Sequence, residues 1–140
     1  MSPEKSKLVL DTNAFVAAFY NPNSASAHII DLCCRGECQA VFSTRLRREV
    51  ESILKQVKVN KGFRERVQKF FKGARTVRVA REIPLVMEDS DDNKFLNCAL
   101  LGEADYLVTS DHHLLKLGEY LGTKICKPAQ FLRHAFPERS

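Results

Sequence analysis

Short apolar runs alternate along this chain with longer segments in which apolar residues recur every three or four positions. Short continuous apolar runs are typical of strands buried in a parallel sheet, and the longer spacing is typical of helices with one buried face. The predicted strands span residues 7–10, 40–42, 76–80, 106–108 and 124–126. Because helical segments separate them, we expect a three-layer α/β/α domain with a mainly parallel sheet of about five strands.

Capping residues define the ends of several predicted helices. Ser43 is an N-cap residue in front of a helical segment, and Gly73 stands where another helix should end. The predicted helices span about 24–35, 44–58, 61–72, 89–102 and 114–121, and a last one begins at Pro128. Residues 11–13, Asp-Thr-Asn, are predicted to form a polar loop directly after the first strand.

The length and the composition favour one globular domain. The chain has 140 residues, of which 44% are hydrophobic and 28% are charged, so we expect a single domain over 1–140 with a core of about 7–136. No stretch reaches the about 18 apolar residues of a membrane span, and the polar N-terminus lacks the pattern of a signal peptide. Five cysteines cannot all pair within the chain, which favours free thiols in a reducing cytoplasm.

The charge is unevenly distributed along the chain. The formal net charge is +5, but residues 45–81 contain 13 Lys and Arg and only three acids, a net of +10. The rest of the chain therefore has a net charge of −5. A basic segment beside an acidic remainder indicates a surface that binds a polyanion next to an acid-rich site. The alternative is a pair of solvated helices whose basic residues contact only water.

Two aspartates follow predicted strands. Asp11 comes directly after the first strand, and Asp111 follows the fourth strand after Thr109 and Ser110. In a parallel α/β sheet, ligands bind at the carboxyl ends of the strands. A single aspartate in such a place is often only a helix cap, but two at equivalent strand ends indicate a site.

Two further acids lie on the predicted inward faces of helices. Glu49 follows Leu46 by three residues and precedes Ile53 by four, so it shares the apolar face of its helix. In the later helix, Asp92 precedes Phe95 by three residues and Leu96 by four, so it also shares the apolar face. An acid on a buried face is costly unless it is paired or binds a metal. For Glu49, a salt bridge to an arginine one turn earlier is the alternative.

Together these carboxylates predict a metal site. Acidic groups that share one cleft raise each other's pKa unless a cation neutralises them. Mg²⁺ and Mn²⁺ prefer oxygen ligands, and one or two such ions can activate water for the hydrolysis of a phosphodiester. The basic segment would then hold the nucleic-acid backbone that the acidic site repels.

Four motifs in this order resemble those of the PIN-domain ribonucleases, and the resemblance extends from Leu8 to about Phe131. The motifs are Leu10–Asn13, Ser43–Glu49, Asp92–Phe95 with Ala99, and Ala104–Asp111. Each motif is weak alone, whereas all four at this spacing make a specific pattern. The resemblance implies a PIN-like, Rossmann-like fold and a ribonuclease that needs Mg²⁺ or Mn²⁺.

Most of the expected site residues follow from this resemblance. It implies Asp11, Glu49, Asp92 and Asp111 as catalytic residues and metal ligands, oriented by Thr12, Asn13, Thr109 and Ser110. Arg45, Arg47 and Arg48, in the basic segment, are expected to contact RNA phosphates. Many relatives have another acid two residues after the fourth-motif aspartate. His113 occupies that position here and is expected at the surface or behind the metal ligands, and His112 is assigned no role.

The length and the sequence Leu107–Asp111 are most similar to the stand-alone toxins of type II toxin–antitoxin pairs. This likeness implies a cytoplasmic homodimer that cleaves RNA and is inhibited by a small antitoxin protein. The resemblance alone supports the antitoxin and the dimer.

Three other functions remain open from the sequence. A catalytically silent PIN fold could bind RNA without cleaving it. A phosphoacceptor receiver domain fits Thr109 and Lys127, but it needs an acidic pair after the first strand and an aspartate after the third, where this chain has Arg81 and Glu82. A haloacid-dehalogenase-type phosphatase needs a second aspartate at the position of Asn13.

Overall fold

The strands form one sheet of six among residues 5–79 and 90–139, which are the residues that the computed structural model describes. Their bounds are β1 Lys7–Leu10, β2 Gln39–Ser43, β3 Arg75–Val77, β4 Tyr106–Val108, β5 Glu119–Tyr120 and β6 Thr123–Cys126. The order across the sheet is β3-β2-β1-β4-β6-β5, with β5 antiparallel to β6 and the other neighbours parallel. The predicted mainly parallel sheet is confirmed, and β5 is a strand that the sequence pattern does not predict.

Seven helices of the described residues cover this sheet and form the predicted α/β/α layers. Their bounds are α1 Asn13–Tyr20, α2 Ala25–Cys34, α3 Thr44–Val57, α4 Lys61–Lys72, α5 Ser90–Leu101, α6 His112–Leu115 and α7 Pro128–Ala135. α5 packs against β1, β2 and β4, and α7 packs against β4 and α2. A turn of 3₁₀ helix over Pro137–Arg139 follows α7.

Capping residues fix the ends of three helices. The hydroxyl of Ser43 accepts a hydrogen bond from the backbone N–H of Leu46 at 3.1 Å, so the predicted N-cap of α3 is confirmed. Ser24 caps α2 in the same way, through the N–H of Ala27. Gly73 is the C-cap residue of α4, as its position predicts. The cap at Ser43 is the one that bears on the site, because it places the first turn of α3 directly after the end of β2.

α1 occupies residues that the sequence pattern does not assign to a helix, since only a polar loop over 11–13 is expected there. Its sequence, NAFVAAFY, is apolar almost throughout, so no polar face alternates with an apolar one. Ala14, Phe15 and Ala18 are buried. Ala17 and Tyr20 are exposed although neither is charged, so the sequence shows no polar periodicity by which this short helix could be recognised.

The helix predicted over 114–121 is wrong after Leu115. α6 ends at Leu115, and β5 then forms an antiparallel hairpin with β6. Leu121 and Gly122 connect the two strands with φ angles of 48° and 88°. Two positive φ angles in a two-residue connection are the geometry of a tight hairpin turn, which no right-handed helix can contain.

Four phenylalanines form the centre of the core. Phe15 of α1, Phe42 of β2 and the neighbours Phe70 and Phe71 of α4 lie with ring centroids 5.0–6.1 Å apart. Aromatic pairs at such distances each contribute about 0.5–1.5 kcal/mol beyond the burial of their surface. The cluster holds α1 and α4 together beside the sheet and so fixes the position of α1, whose first turn follows Asp11.

Some predictions fall outside the described residues. These are Ala80 at the end of the third predicted strand, Asp89 at the start of the fourth predicted helix, and the pair Arg81 and Glu82. Among the residues that are described, no helix is both long and apolar enough to span a membrane.

Gly102 provides a test of the packing of α5 on the sheet. A Cβ at this position would overlap Cγ1 of Val41 and lie 3.1 Å from the carbonyl oxygen of Cys98. The side chain of Val41 is fully buried in β2 and has little room to move. We therefore expect Gly102→Ala to lower the free energy of unfolding by about 1–3 kcal/mol. Urea denaturation followed by circular dichroism measures the change.

Gly62→Ala is the matched control. Gly62 lies in the first turn of α4, where the atom nearest to an added methyl group is Oδ1 of Asn60 at 3.6 Å. Alanine there should stabilise the protein by up to about 1 kcal/mol. In a Val41→Ala background the penalty of Gly102→Ala should shrink, because the overlapping methyl group is gone. Equal penalties in both backgrounds would contradict this explanation.

Candidate active site

The two central strands of the sheet end beside each other. β1 and β4 are parallel neighbours, and the sheet continues to β2 on the side of β1 and to β6 on the side of β4. Such a reversal of strand order leaves a crevice at the carboxyl ends of the two strands, where ligands bind in open α/β sheets. A cleft of about 770 Å³ lies at this place.

All the residues that the sequence predicts to bind or orient a metal ion line this cleft. They are Asp11, Thr12, Asn13, Glu49, Asp92, Thr109, Ser110 and Asp111. The fold thus brings together side chains from the ends of β1 and β4 and from the first halves of α3 and α5. These four parts of the chain are distant in sequence, so only the parallel sheet and its crossovers join them.

Asp11 is held by hydrogen bonds on both of its carboxylate oxygens. The hydroxyl of Thr109 donates to Oδ2 at 2.7 Å, and the backbone N–H of Asn13 donates to Oδ1 at 3.0 Å. The hydroxyl of Thr12 lies 3.5 Å from Oδ1. The hydroxyl of Thr109 also accepts a hydrogen bond from the N–H of Asp111 at 3.0 Å. One buried threonine therefore connects the ends of both strands.

Asp92 and Asp111 line the same cleft, and their carboxyl groups interact. Asp92 is only 4% exposed, and Asp111 caps α6 by accepting the N–H of His113 at 2.8 Å. Burial raises the pKa of Asp111, but the hydrogen bonds from Asp92 and from the N–H of His113 lower it more, so the pKa lies below its usual value. Two negative charges in one cleft repel each other, and a cation between them relieves that repulsion.

Glu49 reaches the cleft from α3 and forms an ion pair there. Its Oε1 lies 2.5 Å from Nζ of Lys94, whose side chain is 9% exposed. Its Oε2 is buried, accepts no hydrogen bond and lies 4.0 Å from Nε of Arg45. Glu49 therefore lies on the inward side of α3, as predicted. It also contacts Arg45, the arginine one turn earlier that was the alternative explanation for its position.

The donor set of the cleft fits a hard divalent cation. It consists of carboxylate oxygens, one of them the buried Oε2 of Glu49 without a hydrogen bond, and oxygen is the ligand that Mg²⁺ and Mn²⁺ prefer. Within residues 5–79 and 90–139, however, no three acidic, histidine or cysteine side chains already surround a single ion position. An ion shared by three carboxylates thus requires a rotation of side chains, which for Glu49 means release of Lys94.

The three arginines predicted to contact RNA do not share one cavity, although Arg47 and Arg48 both line a smaller one with Thr44 and Thr76. Arg45 and Arg48 line a second cavity of about 640 Å³ beside the acidic cleft, and Lys94 lines both cavities. The guanidinium of Arg47 lies over the ring of Phe71, 5.1 Å from its centroid, and Nε is 3.4 Å from the carboxylate of Glu51. Arg47 is therefore separated from the cleft by the body of α3.

Comparison with known proteins identifies the family. The family model of the PIN domain matches residues 7–113 of this chain. The chain belongs to the PIN domain family. An uncharacterized protein of Methanocaldococcus jannaschii is 31% identical to this PIN domain, in an alignment that covers 84% of this chain and 78% of that protein. The resemblance drawn from the four motifs is confirmed.

Two solved structures have the fold of this PIN domain. VapBC2 from Rickettsia felis, in a crystal structure bound to a DNA fragment from their promoter, matches with a TM-score of 0.56 and 14% identity over 85% of this chain and 96% of that chain. PAE2754 from Pyrobaculum aerophilum matches with a TM-score of 0.58 and 16% identity over 93% of this chain and 90% of that chain. At such identities the likeness shows the fold, and the predicted PIN-like fold is confirmed.

Lys94 is the residue of this PIN domain's cleft that sequence reasoning missed. It lies in α5, where Asn93 and Asn97 are buried together with the apolar neighbours Phe95 and Leu96. A helix with buried residues on all sides has no solvent face, so a lysine within it must have a partner. In the sequence, Asn93, Lys94 and Asn97 look like the solvent face of the helix, so no signal distinguishes Lys94 there.

Thr109 provides a test of how the site of this PIN domain is held. We expect Thr109→Val to lower the free energy of unfolding by about 1–3 kcal/mol, because valine leaves Oδ2 of Asp11 without its donor and the N–H of Asp111 without its acceptor. Urea denaturation in EDTA measures this change in the metal-free protein. Thr109→Ser retains the hydroxyl and serves as the control. A serine variant less stable than the valine variant would show that the methyl group, and not the hydroxyl, is the important part.

Proposed function

We propose that this PIN domain is a metal-dependent endoribonuclease that hydrolyses phosphodiester bonds of RNA. The observation that supports it best is the convergence of Asp11, Glu49, Asp92 and Asp111 on one cleft at the carboxyl ends of β1 and β4. PIN domains are generally nucleases, and the chain has an acid in each of the four motifs. Asp11, Asp92 and Asp111 would hold the metal, with Glu49 joining them when it leaves Lys94.

The chain's own residues would orient the reacting groups. One or two Mg²⁺ or Mn²⁺ ions, when bound, would supply charge stabilisation and a lowered pKa of water. Thr109 and the N–H of Asn13 hold the carboxylate of Asp11 in one orientation, which reduces the reorganisation needed on binding. Lys94, released from Glu49, would remain beside the phosphodiester as a positive charge on the side of the second cavity.

Asp11→Asn is the direct test of the metal-dependent mechanism. The variant retains the size of the side chain but removes the charge, so we expect the rate of cleavage of single-stranded RNA in Mn²⁺ to fall at least about a hundredfold. Loss of a residue that only orients a metal ligand costs up to about a hundredfold, and loss of the ligand itself should cost at least as much. Gel analysis of labelled RNA measures the rate, and EDTA should abolish it. Glu65→Gln, which removes an exposed carboxylate on α4, is the control. Cleavage that survives both EDTA and Asp11→Asn would refute the mechanism.

We further propose that the protein is the toxin of a type II pair, acting as a cytoplasmic homodimer that a small antitoxin inhibits. Two features of the chain, its length and the sequence Leu107–Asp111, are similar to those of the stand-alone toxins of such pairs and support this role. Induced expression should arrest the growth of a bacterial host, whereas Asp11→Asn should allow growth. The product of a small neighbouring reading frame should restore growth and co-purify with this protein. Light scattering of the purified protein measures how many copies of the chain it contains. Unimpaired growth despite measured RNA cleavage would refute the toxin role but not the nuclease.

A catalytically silent RNA-binding module is the second candidate. The contact between Lys94 and Glu49 favours it, because an internal ammonium group already neutralises one of the four acids without a metal ion. Mn²⁺ should then fail to raise the thermal midpoint of unfolding, while RNA still binds. A metal-dependent rise that disappears in Asp11→Asn supports the nuclease instead.

A further inference from the structure

The second cavity lies beside the acidic cleft, and every charged side chain that the described residues contribute to its lining is basic. These side chains are Arg45, Arg48, Arg78 and Lys94. Its volume of about 640 Å³ is close to that of the acidic cleft, about 770 Å³. Lys94 belongs to both linings, so the two cavities meet at its side chain.

Strand register and helical spacing together build this cavity. β2 pairs in parallel with β3, with Ser43 opposite Val77, so the next residues, Thr44 and Arg78, leave the sheet at the same edge. Thr44 and Arg48 are four residues apart in α3 and thus share one face of the helix. The cavity therefore gathers two arginines from two different elements around the start of α3.

Arg48 and Arg78 are arginines without an acidic partner in the described part of the chain. The nearby acids are engaged elsewhere: Glu49 contacts Lys94 and Arg45, and Glu51 contacts Arg47. Like charges that line one cavity repel each other, and an anion between them relieves that repulsion. The hydroxyls of Thr44 and Thr76, which also line the cavity, can donate hydrogen bonds to such an anion.

We propose that this basic cavity is a subsite for a backbone phosphate of the nucleic acid, with Arg48 and Arg78 as its contacts. Planar guanidinium groups bind phosphate oxygens through two parallel hydrogen bonds, so arginine suits this ligand better than lysine does. The assignment of the neighbouring phosphodiester to the acidic cleft rests on the proposed function. A substrate must then contain at least two linked phosphates to occupy both cavities, with Lys94 between them.

The test compares two double variants that remove the same charge. Arg48→Gln/Arg78→Gln removes the subsite, whereas Arg64→Gln/Lys69→Gln removes two positive charges from α4, at residues that do not line the basic cavity. Binding of labelled single-stranded RNA is measured by fluorescence anisotropy in EDTA, across a series of salt concentrations. Thermal unfolding verifies that both proteins fold, which we expect because all four side chains belong to exposed residues.

We expect the subsite variant to bind at least about tenfold more weakly, and its logarithmic salt slope to decrease by about 0.7, the value for the loss of one phosphate contact with a single strand. The control variant should remain within about twofold of the unchanged protein. Equal losses in the two variants would overturn the proposal, since they would indicate a diffuse effect of charge. Arg48→Lys/Arg78→Lys retains the charge and should bind with intermediate affinity.

This measurement needs neither a metal ion nor cleavage, so it can fail or succeed independently of the nuclease. If RNA is not cleaved in any metal but the two double variants differ as expected, the subsite stands and the proposed nuclease falls. If cleavage depends on Asp11 but the two double variants bind alike, the nuclease stands and the subsite falls.

Discussion

The hydrogen bond from the hydroxyl of Thr109 to Oδ2 of Asp11 joins the ends of the two central strands. A carboxylate that is 8% exposed is costly to bury unless its oxygens are hydrogen-bonded, and this bond meets that need for Asp11. Because the same hydroxyl accepts the N–H of Asp111, one side chain sets the positions of both strand-end aspartates. The rest of the acidic cleft is arranged around this connection, and Thr109 can make it only because β1 and β4 are parallel neighbours.

The remaining acids present an electrostatic difficulty that the fold meets in two ways. The carboxylate of Asp111, beside Asp92, is stabilised by the hydrogen bond that it accepts from the backbone N–H of His113. Glu49 has the ammonium group of Lys94 as its counter-charge. A divalent cation would replace both of these interactions, since it would neutralise the aspartates and free Lys94 from Glu49. The cleft is thus stable without a metal ion and still suited to bind one.

The sequence predicts the acidic residues of this site better than it predicts the elements around them. Asp11 and Asp111 follow short apolar strands, and Glu49 lies on the apolar face of a strongly amphipathic helix, so simple periodicity locates all three. Periodicity fails where exposed positions are apolar, as in α1, and where polar positions are buried, as at Lys94 of α5. It also fails at the hairpin of β5 and β6, because a leucine with positive φ is an uncommon turn residue.

The basic segment shows why a charge count along the sequence does not define a surface. Successive residues of a helix point about 100° apart, since 3.6 residues complete a turn. Arg47, Arg48 and Glu49 are consecutive in α3, yet they face the ring of Phe71, the basic cavity and the acidic cleft respectively. α3 therefore separates an acidic cavity from a basic one although its own charges are mixed in sequence. What gives the two cavities opposite charge is the phase of each residue on the helix, together with Arg78 from the end of β3 and Asp92 from α5.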